Sequence, residues 1–459
     1  MAKAKQRVAI VGAGPAGAFA ADRLLRRHGN VEIDFFERLP TPWGLLRGGV
    51  APDHQEIKRL DETFERETLA RGCRLFANVE VGVDISHAEL MRHYHAVIYA
   101  TGAQTDKSLG IPGEDLPGSW PATQFVAWYN GHPDFRDLEF DLSGPRAVVI
   151  GNGNVAADVT RILTRSPAEL ERTDVADHAL EALRSSHIEE VVVLGRRGPA
   201  QVAFTSSELR ELGYMDGVDL VVDPREAELD PLSLRWVSER GTFTVRRNVE
   251  LLREFAASPP GGAARRVVLR FLRSPAEIRG DGRVEAIDVR RNRIAQTDDG
   301  ALRAEPLDEL ETIHCGLVLR SVGYRAVPIP DVPFDERFAV VPNREGRVLG
   351  SDSEPLPGVY TVGWIKRGPT GILGTNKRDA DETVACLAED LAAGALPSPP
   401  EPGREDIAAL LAERKPDLVT AEGWHAIDGH ERDRGRELGR PRVKLAGRDE
   451  LLAAAGGTG

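Results

Sequence analysis

The chain has 459 residues, and 59 Lys and Arg against 72 Asp and Glu give it a formal net charge of -13 at pH 7. This length exceeds one typical domain, so we expect two or three. The acidic balance argues against a general nucleic-acid-binding protein, because neutralising phosphates requires clustered Lys and Arg. No apolar run is long enough to span a bilayer. Gly and Pro interrupt the apolar run near the N-terminus, so we expect no signal peptide.

The predicted elements alternate between short apolar strands and helices. In the first part of the chain we expect strands at 8–11, 31–37, 74–76 and 96–99, and helices at about 15–28 and 55–71. In the middle we expect strands at 146–150, 190–194 and 315–321, an inserted helical segment at 166–186 and a strand-rich stretch at 219–294. Gly- and Pro-rich connectors lie at 110–118, 328–333 and 396–402, and the end is mostly helical. Two strand–turn–helix units predict an α/β protein with two related nucleotide-binding domains.

The first glycine turn, Gly12–Gly17, directly follows a strand and opens a helix. Its first Gly permits the tight turn, its second lets the backbone approach a pyrophosphate, and its third lets the helix pack on the strand. Glu37 ends the next strand, where a carboxylate binds ribose hydroxyls and repels a 2′-phosphate, which predicts FAD or NAD. The Ala-Thr-Gly at 100–102 favours FAD, because this strand ending recurs in flavoproteins with two dinucleotide folds.

A second turn with the pattern Gly-x-Gly-x-x-Ala occupies 151–156 and again follows a strand and opens a helix. Its terminal Ala adds one methyl where helix meets strand, a variation the dinucleotide fold permits. The next strand ends with Arg196 and Arg197, where the first unit has Glu37. Because guanidinium groups match a phosphate, this pair predicts recognition of the 2′-phosphate of NADP.

The three cysteines, Cys73, Cys315 and Cys386, form no Cys-x-x-Cys pair and have no metal-ligand spacing. We therefore expect neither a disulfide framework nor a dithiol relay, and no bound metal. Three widely separated cysteines without a pairing motif predict a reducing, cytoplasmic compartment.

Five stretches of the chain resemble one known family. They are Pro40–Lys58 (PTPWGLLRGGVAPDHQEIK), Gly151–Leu163, Gly195–Leu212, Gly363–Ala380 and the tail GWHAID…GRPRVK. Together they resemble the adrenodoxin-reductase type of ferredoxin–NADP reductase over nearly the whole chain. The resemblance implies an FAD domain at 1–106 and 329–459, ending in a helical tail, with an NADP domain at 107–328 inserted in it.

The resemblance also implies an activity and its site residues. The activity is hydride transfer between NADPH and N5 of FAD, then one-electron transfer to a ferredoxin-type iron–sulfur protein. The implied FAD-binding residues are Gly12, Ala13, Gly14, Pro15, Ala16, Gly17, Glu37, Leu45, Val81, Trp364, Gly371, Ile372 and Leu373. The implied NADP-binding residues are Asn152, Gly153, Asn154, Val155, Arg196, Arg197, Glu208 and Gly371. His54 and Glu211 match positions beside the nicotinamide–flavin contact and are the predicted catalytic residues.

Docking of an acidic ferredoxin onto a chain of net charge -13 requires a local basic patch. Arg210, Lys366 and Arg367 are the predicted docking residues, with Lys58 and Arg59 as weaker candidates. No Cys-x-x-Cys accompanies the predicted flavin site, which disfavours thiol reduction.

Three alternatives stay open on the sequence alone. An NADPH-dependent flavin monooxygenase would share both glycine turns, although no segment is assigned to its substrate pocket. A non-catalytic flavoprotein could bind the same cofactors and sense redox state. An electron-feeding subunit of a larger complex would also carry both domains.

Overall fold

The computed structural model describes residues 5–371, 373–401 and 403–456. The chain divides into two compact units. The first unit comprises the residues up to Thr105, Asn130–Asp134, and the residues from Gly323 onward. The second unit comprises Asp106–Tyr129 and Phe135–Val322, so in chain order it is inserted into the first.

Strands and helices alternate through much of both units. The strands are β1 Gln6–Val11, β2 Val31–Glu37, β3 Arg74–Ala77, β4 Ala96–Tyr99, β5 Thr105–Asp106, β6 Ser119–Pro121, β7 Arg146–Ile150, β8 Glu190–Gly195, β9 Val218–Val222, β10 Arg265–Phe271, β11 Arg273–Arg279, β12 Ala286–Gln296, β13 Leu302–His314, β14 Leu317–Arg320, β15 Tyr324–Arg325, β16 Asn343–Arg344, β17 Arg347–Leu349 and β18 Pro355–Thr361. The helices are α1 Pro15–Arg27, α2 Leu45–Gly48, α3 Gln55–Lys58, α4 Leu60–Glu67, α5 His87–His93, α6 Ala122–Tyr129, α7 Asn154–Thr164, α8 Pro167–Leu170, α9 Asp177–Arg184, α10 Ser206–Gly213, α11 Pro224–Ala227, α12 Pro231–Arg240, α13 Phe243–Ala257, α14 Trp364–Arg367, α15 Leu373–Ala393, α16 Arg404–Arg414, α17 Ala421–Leu438 and α18 Arg448–Ala454. Short 3-10 turns occupy Leu69–Arg71 and Pro199–Gln201. None of these helices, within the part of the chain described, is long and apolar enough to cross a membrane.

The first unit is built on a seven-stranded sheet in the order β16-β17-β18-β4-β1-β2-β3. Strands β3, β2, β1, β4 and β18 run parallel. Along β1, Val8 and Ile10 enter one buried cluster while Ala9 and Val11 enter another. Both faces of the sheet are therefore covered, which explains why the sequences of these strands are continuous apolar runs. The order reverses at β1, and ligands of such sheets bind beyond the carboxyl ends of the strands at that point.

The second unit repeats this arrangement with a six-stranded sheet in the order β6-β14-β7-β8-β10-β9. All its strands run parallel. Along β7, Ala147 and Val149 enter one buried cluster while Val148 and Ile150 enter the other. The unit also carries an antiparallel sheet of β11, β12 and β13. The predicted α/β class with two doubly wound units is confirmed.

The predicted strand-rich stretch at 219–294 is partly wrong, because α11, α12 and α13 occupy much of its first half. Asp230 caps α12 by accepting from the backbone of Leu232 and Ser233, and Thr242 caps α13. Within α13 the buried residues recur at helical spacing, as in Val249, Leu252 and Phe255. Capping residues and helical period outweigh the β-propensity of these Val and Phe residues.

The three cysteines are free thiols buried inside the protein. Burial raises the pKa of Cys73 and of Cys315 to about 12. Both thiols are therefore protonated near neutral pH and poor nucleophiles, which fits packing residues.

Candidate functional site

In the turn after β1, Gly12 and Gly17 are required by the chain itself. Gly12 has φ +105°, and a Cβ on it would lie 2.6 Å from the carbonyl oxygen of Ala100. A Cβ on Gly17 would lie 2.2 Å from the carbonyl oxygen of Gly12. Gly14 differs, because the nearest atom to its Cβ would be Cα of Gly44 at 3.8 Å. The chain itself therefore does not require glycine at position 14, which fits a place where a ligand phosphate approaches the backbone closely.

The N-terminus of α1 offers backbone donors beside Gly14. Its N-cap residue, Gly14, supplies no side-chain cap, and Pro15 occupies the first turn. The turn is held from outside, since Trp43 donates its N–H to the carbonyl oxygen of Ala13 at 2.9 Å. A helix start without a side-chain cap presents N–H groups and a positive dipole end, which fit a pyrophosphate.

Glu37 lies at the carboxyl end of β2, buried beside the same turn. Its carboxylate accepts from the N–H of Ala13 and from the N–H of Leu39, each at 3.0 Å. Burial raises its pKa, although both of these hydrogen bonds act in the opposite direction. The structure therefore brings Glu37 to the glycine turn, and its contact with a ribose stays a prediction.

A distant part of the chain, around Trp364, contributes to the same site. A Cβ on Gly363 would lie 2.6 Å from Cβ of Ala16, so this residue packs directly on α1. Gly363 has φ +82° and donates its N–H to the buried carboxylate of Asp379. The indole Nε1 of Trp364 is buried and has no hydrogen-bond partner among residues 5–371, 373–401 and 403–456. A buried donor without a partner fits a cofactor acceptor at this point.

Asp379 was not predicted as a site residue, because it acts by accepting a hydrogen bond from the backbone of Gly363, which only the structure shows. Its carboxylate also lies 2.9 Å from the ammonium group of Lys366, and both side chains are buried. The ion pair sits directly under the turn that carries Trp364.

Other predicted FAD residues lie around this turn or on its margin. Leu45 begins α2, immediately after Gly44, whose Cβ would approach Cα of Gly14 at 3.1 Å. Val81 is half-buried and packs against the cluster that contains alternate residues of β1. No local sequence pattern predicts that Leu45 lies beside the first glycine turn.

Gly371 and Leu373 flank the start of α15. Gly371 is exposed with φ +82°, and a Cβ on it would lie 2.4 Å from Oγ1 of Thr375. The backbone of this turn thus requires glycine for its own conformation. Leu373 begins α15 and packs on the core of the first unit. Ile372 lies outside the described residues.

His54 is the N-cap residue of α3 in the first unit and is half-buried. Its N–H donates to the carbonyl oxygen of Ala51 at 3.0 Å, and its own carbonyl oxygen accepts from Ile57 at 3.1 Å. These bonds fix the backbone, and the catalytic role of the imidazole stays a prediction.

The second glycine turn, after β7, repeats the first in its steric pattern. Gly151 has φ +126°, and a Cβ on it would lie 2.2 Å from the carbonyl oxygen of Ser321. The Cβ of Gly153 would meet only Cβ of Ala203, at 3.9 Å. Ala156 is fully buried at the third position, where its methyl is accommodated. Again the chain itself requires the first Gly, whereas a side chain at the second would meet only an ordinary contact.

The second turn is tied to the segment that follows the arginine pair. The carbonyl oxygen of Asn152 accepts from the N–H of Ala203 at 3.0 Å. The side-chain oxygen of Asn154 accepts from the N–H of Thr205 at 2.9 Å. Val155 packs against the core of the unit. Asn152, Gly153 and Asn154 thus form one rim of the candidate site.

Arg196 and Arg197 follow β8 next to this rim. A Cβ on Gly195 would lie 2.8 Å from Nδ2 of Asn152, which shows how close the two segments run. Arg196 is exposed and Arg197 half-buried, and neither guanidinium contacts a carboxylate of residues 5–371, 373–401 or 403–456. Burial, and then the charge of Arg196, lower the pKa of Arg197. Two adjacent cations without a counter-ion fit a phosphate dianion.

Glu208 and Glu211 lie on α10, within an ion cluster of the second unit. Arg161 of α7 is fully buried and pairs with Glu208. Glu211 accepts from Arg165 at 2.9 Å, and Nε of Arg161 lies 3.6 Å from it. The roles predicted for both carboxylates, cofactor contact and catalysis, stay predictions.

The predicted docking cations differ in their exposure. Lys366 is buried, and its ammonium group is taken up by Asp379 and by Glu382 at 2.5 Å, so its prediction as a docking residue is wrong. Lys58 is also buried, so it too is excluded as a docking residue. A run of basic residues in the sequence could not reveal this burial.

The remaining cations are Arg210, Arg367 and Arg59. Arg367 is half-buried and donates to Oδ1 of Asn376 at 2.5 Å. Arg210 and Arg59 are exposed, and the guanidinium of Arg210 contacts no carboxylate of the described residues.

Two mainly parallel sheets, each with a glycine turn at the switch point of its strand order, define an oxidoreductase with two dinucleotide-binding domains. The family model described as "Pyridine nucleotide-disulphide oxidoreductase" matches residues 6–194. The NADPH-ferredoxin reductase FprA of Mycobacterium leprae is 51% identical, over 97% of each chain. The human mitochondrial NADPH:adrenodoxin oxidoreductase is 43% identical, over 98% of this chain and 92% of the relative. The solved structure of Mycobacterium tuberculosis FprA in complex with NADPH superposes with a TM-score of 0.92 at 48% identity, covering 99% of this chain and 100% of the other. The chain belongs to the family of NADPH–ferredoxin reductases, and the resemblance of its motifs is confirmed.

Proposed function

We propose that this protein is an FAD-dependent ferredoxin–NADP reductase that passes electrons between NADPH and a ferredoxin-type iron–sulfur protein. The observation that carries the proposal is that the strands following the two glycine turns end in side chains of opposite charge. Glu37 follows the first glycine turn and the Arg196–Arg197 pair follows the second. Relatives named NADPH-ferredoxin reductase, 50–51% identical along almost the whole chain, support it.

FAD is assigned to the first unit and NADP(H) to the second. A carboxylate favours the free ribose hydroxyls of FAD, whereas two arginines favour the extra phosphate of NADP. The uncapped start of α1 and the buried Nε1 of Trp364, which has no hydrogen-bond partner among the described residues, support a large ligand in the first unit. A bound flavin supplies the ability to accept two electrons as hydride and release them singly.

The protein's own residues bind the two cofactors and orient their reacting rings. Backbone N–H groups at the starts of α1 and α7 bind phosphates, and Glu37 and the arginine pair select between ribose and phosphate. Gly371 leaves room for the nicotinamide at the flavin. His54 and Glu211 hold the nicotinamide amide or supply a proton at the reacting rings.

The alternatives left by the sequence are weaker after the comparisons. A flavin monooxygenase or a redox sensor would have no reason to share 43–51% identity with reductases that act on iron–sulfur proteins. An electron-feeding role inside a larger assembly differs from the proposal only in whether the acceptor is free or attached. The cytoplasmic location also stays a proposal, supported by buried thiols that form no disulfide.

Anaerobic stopped-flow spectroscopy tests the proposed function. NADPH should bleach the flavin absorbance rapidly, NADH should do so much more slowly, and oxidised ferredoxin should then restore it. Preference for NADH would overturn the assignment of the second unit. Oxidation of NADPH that is coupled to hydroxylation of an organic substrate would favour the monooxygenase instead.

Ferredoxin docking is proposed to use Arg210, with Arg367 and Arg59 as subsidiary cations. Arg210→Glu should raise KM for ferredoxin about fivefold at low salt, because one exposed charge contact contributes about 1 kcal/mol. The effect should shrink as ionic strength rises, since salt screens exposed charges. Reduction of a small dye by NADPH should be unchanged.

Arg172→Glu is the matched control for this experiment. Arg172 is exposed in the same unit, contacts no carboxylate in the described part of the chain, and gives the same change in net charge. An equal rise in KM for ferredoxin in both variants, or an equal loss of dye reduction in Arg210→Glu, would contradict a docking role for Arg210.

A further inference from the structure

One polar side chain of the antiparallel sheet is buried against the arginine pair. Asn292 lies on β12, is 2% exposed, and stands between the exposed Arg291 and Arg293. Its Nδ2 donates to the carbonyl oxygen of Arg196 at 2.7 Å and to Oγ of Ser274 at 2.6 Å. Both amide hydrogens are therefore used, one of them on the backbone of a proposed phosphate-binding residue.

The local backbone is shaped to make this contact. The pairing of β12 with β13 shifts register between Arg290 and Asn292, as at a bulge. The N–H of Asn292 donates to the carbonyl oxygen of Leu272 at 2.8 Å. Leu272 has φ +55°, unusual for a residue with a branched side chain, and its N–H donates to the carbonyl oxygen of Arg197 at 3.1 Å. Bulges commonly re-aim one side chain, and strained backbone persists where its surroundings hold it.

Two consecutive carbonyl groups are thus anchored: that of Arg196 by Asn292 of the antiparallel sheet, and that of Arg197 by Leu272, the residue that leads into this sheet. Neither guanidinium contacts a carboxylate of the described residues, so no ion pair fixes the two side chains in place. Their direction then depends on where the backbone after β8 is held. A core position on this strand would need only an apolar side chain, whereas an amide is costly to bury unless its hydrogen bonds are made.

We propose that Asn292 is a positioning residue for coenzyme selectivity: by holding the carbonyl group of Arg196, it directs the arginine pair toward the 2′-phosphate of NADP(H). This inference rests on the proposed function, since it presumes that the pair binds that phosphate. The antiparallel sheet of β11, β12 and β13 then acts as the platform from which the second unit discriminates NADPH from NADH.

The test measures binding of 2′,5′-ADP and of 5′-AMP by calorimetry to the holoenzyme, which needs no electron transfer. Asn292→Leu keeps the side-chain volume and removes the donors, leaving the Arg196 carbonyl unsatisfied. It should weaken 2′,5′-ADP binding about tenfold, the scale of one lost hydrogen bond in a partly buried site, and leave 5′-AMP unchanged. In steady state, KM for NADPH should rise with little change in kcat.

Gln296→Leu is the matched control. Gln296 lies on the same strand, but its Nε2 donates to the carbonyl oxygen of Gly300 at 3.3 Å, four residues along the chain, and not to the backbone of the arginine pair. This variant should bind both nucleotides as the wild type does. Asn292→Ala, which removes the donors without adding volume or charge, decides the matter if Asn292→Leu does not fold.

The outcomes separate this inference from the function on which it rests. If the wild type itself binds 5′-AMP as tightly as 2′,5′-ADP, the assignment of the arginine pair to the 2′-phosphate fails. If the wild type prefers 2′,5′-ADP and folded Asn292 variants keep the full preference, the positioning role is overturned. Equal weakening of both nucleotides would also overturn it, because that result indicates a general structural role.

Discussion

Replacement of both Arg196 and Arg197 by alanine should lower kcat/KM for NADPH about a hundredfold, because two charge-assisted hydrogen bonds of roughly 1.5 kcal/mol each are lost. The loss should fall mainly on KM, since these side chains are expected to bind a phosphate remote from the reacting ring. Use of NADH, which has no 2′-phosphate, should stay the same or improve. Steady-state kinetics with both coenzymes measures the change.

NADH is the internal control for this double variant. Both guanidinium groups are free of carboxylate contacts in the described part of the chain, so their removal leaves no buried anion behind. The fold should therefore persist, and the flavin content should be unchanged. Parallel losses with NADPH and NADH would show that the pair supports the second unit structurally and would contradict phosphate recognition.

Gly14→Ala should fold normally and bind FAD more weakly, whereas Gly12→Ala should fail to fold stably. A Cβ on Gly14 meets only Cα of Gly44 at 3.8 Å, which is ordinary contact, but it fills the space proposed for the pyrophosphate. Overpacking of this kind costs about 1–3 kcal/mol, so FAD should bind about ten to a hundred times more weakly. The flavin-to-protein absorbance ratio and titration of the apoprotein with FAD measure the effect.

Gly12→Ala has a different physical basis. A side chain there combines φ +105° with a contact of 2.6 Å to a backbone oxygen, which only movement of the neighbouring strand end could relieve. Gly29→Ala is the control, since nothing lies within 4 Å of its Cβ. Normal FAD content in Gly14→Ala would contradict the placement of the pyrophosphate, and a stable Gly12→Ala would contradict the steric argument.

The second glycine turn shows how far a sequence pattern can be interpreted. Gly12 and Gly151 stand at matching places, and each would clash with a backbone oxygen from another strand end if it carried a side chain. The third position differs because Gly17 would clash with the carbonyl of Gly12, whereas Ala156 is buried without difficulty. The pattern predicted a dinucleotide turn in both cases, and only the packing of helix on strand explains the Ala.

Surface chemistry was the least predictable part. Lys366 and Arg367 look alike in the sequence, yet Lys366 is buried in an ion pair with Asp379. The partner lies thirteen residues away on a different helix, so no local pattern could reveal the pairing. Exposure of a charged residue depends on which elements pack over it.

The sequence by itself determined the fold class, the two glycine turns, the charges at the ends of β2 and β8, and the family. These features are local: a strand, a turn of fixed spacing and the residue that ends the next strand follow from period and steric preference over a few tens of residues. Tertiary structure alone decided the contacts between segments far apart in the chain. Sheet order brings distant strand ends together. This explains the packing of Gly363 on α1, the ion pair beneath Trp364 and the hydrogen bond from Asn292 to Arg196.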